Sequence, residues 1–133
     1  MAICTLLYYA YEDPYIAHSG NYDYEAELYK PIKASELYKE HEIFLPHESQ
    51  NINVDLKDVI GEIDVIVAEV SYPSTGQGIE LGRSASAGIQ IICFYREGTK
   101  PSDSLRFITD KVLPYTSGED FVTELEGELE EKS

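Results

Sequence analysis

Positive charge is what this chain lacks most. Its 133 residues carry 10 Lys and Arg against 25 Asp and Glu, a formal net charge of −15. Affinity for a duplex comes mostly from Lys and Arg neutralising phosphates, so this balance argues against nucleic acid as a partner, and against an anionic membrane surface. Long hydrophobic runs are missing too: no window reaches about 18 uninterrupted apolar residues. The N-terminus shows neither a basic n-region, nor an extended apolar h-region, nor an Ala-x-Ala site, and the chain reads as cytoplasmic. Cysteine is confined to Cys4 and Cys93, both inside apolar runs. Two are too few for a disulfide scaffold, and buried free thiols in a reducing compartment are the expectation. The three histidines, His18, His41 and His47, are too scattered for a metal site, and no His/Cys/Asp spacing suggests zinc. Neither a metal nor a cofactor is expected.

What is present points to a fold. Apolar residues make up 43% of the chain, too many for a disordered acidic protein. The length fits one compact domain over residues 1 to 133. Residues 3 to 9 (ICTLLYY), 64 to 70 (DVIVAEV) and 89 to 95 (IQIICFY) are continuous apolar runs of the kind found in strands covered on both faces. Residues 42 to 46 (EIFLP) and 111 to 115 (KVLPY) are weaker strand candidates. Helices are expected at about 23 to 40, 52 to 61, 78 to 88, 102 to 109 and 118 to 131, with a bend at Pro31. In the last of these, Phe121, Val122, Leu125 and Leu129 recur at helical spacing, with acids on the other faces. Alternation of strand and helix predicts an α/β three-layer sandwich, Rossmann-like, around a five-stranded parallel sheet. Ligands then belong beyond the carboxyl ends of the strands, near residues 9 to 20, 46 to 55, 70 to 80 and 96 to 104.

The run at 64 to 70 is the most informative. It leads into Ser71-Tyr72-Pro73-Ser74-Thr75-Gly76-Gln77-Gly78-Ile79-Glu80, where a glycine- and hydroxyl-bearing turn precedes a helix expected from Ile79. Glycines free backbone N–H groups to converge, Ser74 and Thr75 add donors, and the helix N-terminus adds about half a positive charge, so the turn reads as an anion cradle. Glu80, expected in the first helical turn, is an ionised carboxylate placed to attack or stabilise a cationic carbon such as an anomeric centre. Complementing the helix terminus is the alternative role for it. The spacing is neither GxGxxG nor GxxxxGK[ST], so dinucleotide and ATPase readings lose support.

The run DVIVAEVSYPSTGQGIELGRSASAGIQIICFYRE resembles the signature of the nucleoside 2-deoxyribosyltransferase family, most closely its 2'-deoxynucleoside 5'-phosphate N-hydrolase branch. Members of that branch carry AEV, then PS, then GxGxELGRA, then a strand of the IICxFR kind. The match spans roughly residues 55 to 108. The resemblance implies a flavodoxin-like fold, a homodimer or larger assembly, and cleavage of the N-glycosidic bond of a small nucleotide or nucleoside without metal or cofactor. It implies Glu80 as the nucleophile forming a glycosyl-enzyme intermediate. Ser74 and Gly76, with Gly78 in the same turn, would hold the 5'-phosphate, and Ser104 would be a further phosphate ligand, supplied across subunits. Asp55 is the best match to an acid that holds the sugar or assists proton transfer, with Asp58 its competitor.

The N-terminus departs from the family pattern. Where the family has a strand tyrosine followed by a GSIRGG-like loop, this chain reads Leu7-Tyr8-Tyr9-Ala10-Tyr11-Glu12-Asp13-Pro14-Tyr15, with no glycine before Gly20. Tyr8 or Tyr9 stands for the active-site tyrosine, or packs at the strand rim. Tyr11, Tyr15, Tyr22 and Tyr24 form an aromatic wall for a base, or pack the loop. Hydrolysis of (deoxy)nucleoside 5'-monophosphates, base exchange between deoxynucleosides, and a non-catalytic nucleotide-binding module all remain open on the sequence.

Overall fold

The computed structural model describes residues 13–130, so the run expected to be the first strand, together with Cys4, Tyr8, Tyr9 and Tyr11, lies outside the described residues. Within them, four parallel strands form one sheet in the order β1-β2-β3-β4: β1 (Pro14–His18), β2 (Val65–Glu69), β3 (Gln90–Arg96) and β4 (Val112–Tyr115). Parallel pairing and both-face coverage are as the apolar runs predicted. The strand number is not: the sheet has four strands among the described residues, where five were expected.

The missing strand has a covalent reason. Residues 42 to 46 do lie along the outer edge of β1, where Ile16 N–H donates to the Phe44 carbonyl (3.0 Å) and Phe44 N–H to that of Pro14 (2.9 Å). The ladder stops at that single parallel bridge, Tyr15 to Phe44. Extending it one step either way would require an N–H from residue 14 or from residue 46, and both are prolines, which have none. The edge therefore keeps the position of a fifth strand with only the two hydrogen bonds of that bridge.

The helices divide between two faces. On one, a π-helical turn (Glu25–Tyr29) runs into α1 (Lys30–Lys33), followed by α2 (Leu37–Glu40) and, at the far end of the chain, α5 (Gly118–Leu129). The break expected at Pro31 shows as the change from the π turn to α1, with Lys30 N–H donating to the Glu25 carbonyl five residues back. Ile16, Val67, Ile92 and Phe94 of the sheet pack there against Leu28, Ile32, Leu37, Phe121, Leu125 and Leu129. The opposite face buries Tyr15, Ala17, Ile66, Ala68 and Cys93 under α3 (Leu56–Val59) and α4 (Thr75–Ser86) through Leu56 and Leu81. Gly118 lets α5 meet α1: a Cβ there would lie 2.6 Å from Pro31 Cγ. No helix among the described residues is long and apolar enough to cross a membrane.

This arrangement fixes where a ligand fits. The chain leaves β1 toward the Phe44 edge by way of α1 and α2, and leaves β2 toward β3 by way of α4 on the other face. Between the carboxyl ends of β1 and β2 the connections diverge, the position at which doubly wound sheets commonly bind their ligands.

Candidate active site

β2 delivers the informative turn. Its last residue is Glu69, and Ser74 starts α4 as N-cap, its hydroxyl accepting the Gln77 N–H at 3.3 Å. The helix thus begins at Thr75, earlier than expected, which moves Glu80 from the first turn into the second. The helix-terminus field falls off within the first turn and bears on Glu80 less than the sequence suggested. Thr75 and Gly76 instead occupy the first positions, whose N–H groups have no intrahelical acceptor and point along the axis toward any anion. Gly76 and Gly78 do not serve backbone freedom here, since neither takes a positive φ. A Cβ at either would meet nothing within 4 Å; their contribution is open space beside the helix end.

Residues of α4 separate by face. A cleft of about 370 Å³ lies beside Ser74, Thr75, Gly78 and Leu81, closed on its far side by Ser102 and Leu105. Ser104 does not line it: its N–H donates to Ser102 Oγ (3.2 Å), capping the 3-10 turn Asp103–Phe107, and Ser102 borders the space instead. Glu80 lies about 200° around the helix from Gly78, on the side of Gly76 four residues earlier. The cleft and the carboxylate therefore flank the helix N-terminus from two sides rather than sharing one wall.

On the Glu80 side, Tyr15 is the partner. It is 2% exposed on β1, lies stacked on Phe44 (ring centroids 5.2 Å apart, planes within 9°), and its hydroxyl donates to Glu80 Oε2 at 2.9 Å. Burial raises the Glu80 carboxyl above its ordinary value; the Tyr15 donor and His47 act against that rise, and Asp55 adds to it. Burial first, and then the adjacent Glu80, push the Tyr15 phenol well above its ordinary range, so it stays a donor at neutral pH.

Asp55 is held in the same corner. It caps α3 by accepting the Lys57 N–H (3.1 Å), faces Arg83 Nη1 at 3.8 Å, and remains half exposed. Its rival Asp58 lies exposed within α3. Arg96 is engaged elsewhere, with Glu27 Oε1 3.1 Å away and its guanidinium over the Tyr115 ring.

The tyrosines of the expected wall do not gather as one group: Tyr11 lies outside the described residues, Tyr15 stacks on Phe44, and Tyr22 and Tyr24 meet histidines instead. At the carboxyl end of β1 the His18 ring contacts Tyr24 (4.6 Å between centroids), His47 (4.6 Å) and Tyr29 (5.1 Å), while Tyr22 lies against Tyr72 of the β2 to α4 turn (4.9 Å). A directed chain of hydrogen bonds fixes His18. Its Nδ1 lies 2.8 Å from the Ser19 carbonyl, which only accepts, so Nδ1 carries the proton. Nε2 then accepts from the Tyr29 hydroxyl (2.7 Å), which in turn accepts the His47 N–H (2.8 Å). Burial pushes the His18 pKa down to about 4, which keeps the ring neutral.

Sequence reasoning named Tyr15 only as a member of an aromatic wall and not as the partner of Glu80, and it did not single out His18 or Tyr29 for the site. The signal was available in Tyr15-Ile16-Ala17-His18-Ser19-Gly20, a short apolar run ending in a Ser-Gly turn, but the longer run at 3 to 9 overshadowed it. Among the described residues no group of His, Cys, Asp and Glu could hold a metal ion.

No family model matches the chain. A 5-hydroxymethyl-dUMP N-hydrolase of Rattus norvegicus is 41% identical over 64 residues, 44% of this chain and 39% of the relative. One from Danio rerio is 54% identical over 33 residues, 25% of this chain and 23% of the relative. The chain thus spans less than half the length of the curated relatives it matches. Among solved structures, the CMP N-glycosidase BcmB of Clostridium botulinum superimposes with a TM-score of 0.62 over 86% of this chain and 99% of that one, at 21% identity. In part of its sequence this chain is therefore similar to nucleotide N-hydrolases, and in its fold to a nucleotide N-glycosidase.

Proposed function

We propose that the protein is an N-glycosidase that hydrolyses (deoxy)nucleoside 5'-monophosphates to free base and (deoxy)ribose 5-phosphate, with Glu80 as nucleophile. The observation that carries this reading is the half-buried Glu80 carboxyl, held at one oxygen by Tyr15 beside the open N-terminus of α4. Tyr15 anchors Oε2 and leaves Oε1 to approach C1'. As the C1'–O bond forms, the C1'–N bond breaks and its electron pair leaves with the base, which takes up a proton. Water then cleaves the glycosyl ester, giving the sugar phosphate and restoring the carboxylate. The names of the curated relatives and of the structural neighbour support this class of reaction.

The 5'-phosphate is assigned to the turn of Ser74, Gly76 and Gly78 and to the first N–H groups of α4. It is dianionic or nearly so, and a helix end with free donors suits it despite a net charge of −15, because screening over about 8 Å keeps distant carboxylates from dominating. Ser104 stays a proposed further phosphate ligand, acting across a homodimer. Asp55, close enough to raise Glu80, is assigned to the sugar hydroxyl or to proton transfer. Tyr15 takes over the strand-tyrosine role for which Tyr8 and Tyr9 were the sequence candidates, since a tyrosine on β1 followed by Ser19-Gly20 repeats the strand-then-turn order of the family signature. The test is release of free base from each ribo- and deoxyribonucleoside 5'-monophosphate. Turnover of unphosphorylated deoxynucleosides only when a second base is supplied would instead mark a base-exchange enzyme, and saturable binding without product a nucleotide-binding module.

A further inference from the structure

A buried carboxyl that the proposed reaction does not use stands two residues before the turn. Glu69, the last residue of β2, is 1% exposed, and its side chain accepts from three donors: the Ser71 N–H (2.8 Å), the Ser71 hydroxyl (2.7 Å) and the Tyr115 hydroxyl at the end of β4. Its own carbonyl accepts from Gln77 Nε2 at 2.7 Å across eight residues, and Gln77, 5% exposed, lies in the first turn of α4. Ser71 Oγ also accepts the Arg96 N–H at 2.7 Å, tying the same knot to the end of β3. The ends of β2, β3 and β4 and the start of α4 meet at Glu69 and Ser71.

We propose that Glu69 is a positioning residue: through Ser71, Tyr115 and Gln77 it sets the register of the segment from Ser71 to Gln77 on the sheet edge, and so the place of Glu80 one turn further along α4. The physical case rests on what such a group costs. A carboxyl taken fully out of water is favourable only if nearly every lone pair is satisfied, and an apolar side chain of similar volume often gives equal or greater stability. Its neighbours on the same face, Val67 and Phe94, are apolar. What the carboxyl supplies and an apolar residue does not is direction. Two backbone-adjacent bonds to Ser71 fix where the chain turns out of β2, and Gln77 fixes where it re-enters helix. Substrate geometry tolerates little slack, since misplacement of reacting groups by about 1 Å costs on the order of 100-fold in rate.

The effect on turnover rests on the nucleotide-hydrolase reading; the effect on the turn itself does not. The experiment measures both for Glu69→Gln, which keeps shape but sets amide donors against hydroxyl donors, and for Tyr115→Phe, which removes one hydroxyl and leaves the turn otherwise intact. Amide hydrogen exchange should rise at least tenfold at residues 71 to 80 and stay unchanged in α5, and kcat on the preferred nucleotide should fall about tenfold or more, with KM moving less. Val122→Ala on α5, chosen for a comparable loss of Tm, should leave kcat unchanged. Where Glu69→Gln does not fold, Tyr115→Phe decides. Wild-type exchange in the turn of both variants overturns the proposal whether or not the protein hydrolyses nucleotides, and so does faster exchange with unaltered kcat in an active enzyme. No base release from the wild type, together with exchange that rises as stated, removes the hydrolase reading and retains the role of Glu69 in the turn.

Discussion

The Tyr15 hydroxyl donates to Glu80 Oε2 at 2.9 Å, joining residues 65 apart in the sequence across the sheet-to-helix boundary. The phenol is stacked on Phe44 and cannot swing away, so it restrains the carboxylate in orientation as well as in charge.

Removing only that donor should separate orientation from fold. Tyr15→Phe keeps the stacked ring and the buried volume, and should lower kcat by about 10- to 100-fold with a small change in KM. Steady-state kinetics beside an unchanged circular dichroism spectrum check it. A wild-type kcat would show that Tyr15 only fills space.

Burial raises Glu80, and the sign of the stability effect follows. A carboxyl whose folded pKa exceeds its unfolded pKa holds its proton better in the native state, so folding weakens as pH climbs from the unfolded value through the folded one. Glu80→Gln should therefore raise Tm at pH 7 by a few degrees, and match the wild type near pH 4, below which both states are protonated. Scanning calorimetry at the two pH values reads the difference; an equal gap at both would contradict it.

His18 has the opposite dependence. Burial lowers it to about 4, so the unfolded chain binds the proton more readily and native stability, complete above the ordinary value of about 6.5, declines as pH falls toward 4. Over that window the wild type should lose on the order of 2 kcal/mol more than His18→Gln, measured by urea unfolding at pH 7, 5.5 and 4.5. Parallel curves for the two proteins would show that the ring charges without penalty.

A close approach is tested at Gly118. A methyl group at that position would collide with the Pro31 ring at 2.6 Å, so Gly118→Ala should destabilise by about 1 to 3 kcal/mol, and pairing it with Pro31→Ala should return part of that loss. Additive effects in the double variant would show that the two sites do not touch.

How far the sequence carried can be read from particular residues. The apolar runs at 64 to 70 and 89 to 95 became β2 and β3 with shifts of a residue at their ends, because their central residues, Val65 to Ala68 and Ile91 to Phe94, are apolar and buried on both faces. Residues 42 to 46 failed as a strand because Pro46 at their own end and Pro14 on β1 withhold the donors on either side of one bridge, and the second of these is a fact of pairing that a single segment does not reveal. Glu80, Ser74 and Asp55 were all named from the motif. Missed was the pairing itself: Tyr15, named only as a wall residue, lies on a five-residue strand between acids and a polar turn, too short to stand out from the longer run before it. Glu69 was hidden for another reason. Within a strand motif it reads as one polar residue, and its role exists only because Tyr115 and Gln77, distant in sequence, converge on it.

The most direct measurement is a product assay by liquid chromatography across ribo- and deoxyribonucleoside 5'-monophosphates, with wild type and Glu80→Ala side by side. Release of free base and sugar phosphate in equal amounts by the wild type is predicted, with a loss of about 1,000-fold or more in the variant at unchanged secondary structure. Equal rates in the two proteins, or no free base from any nucleotide with a folded wild type, would contradict Glu80 as the nucleophile of an N-glycosidase.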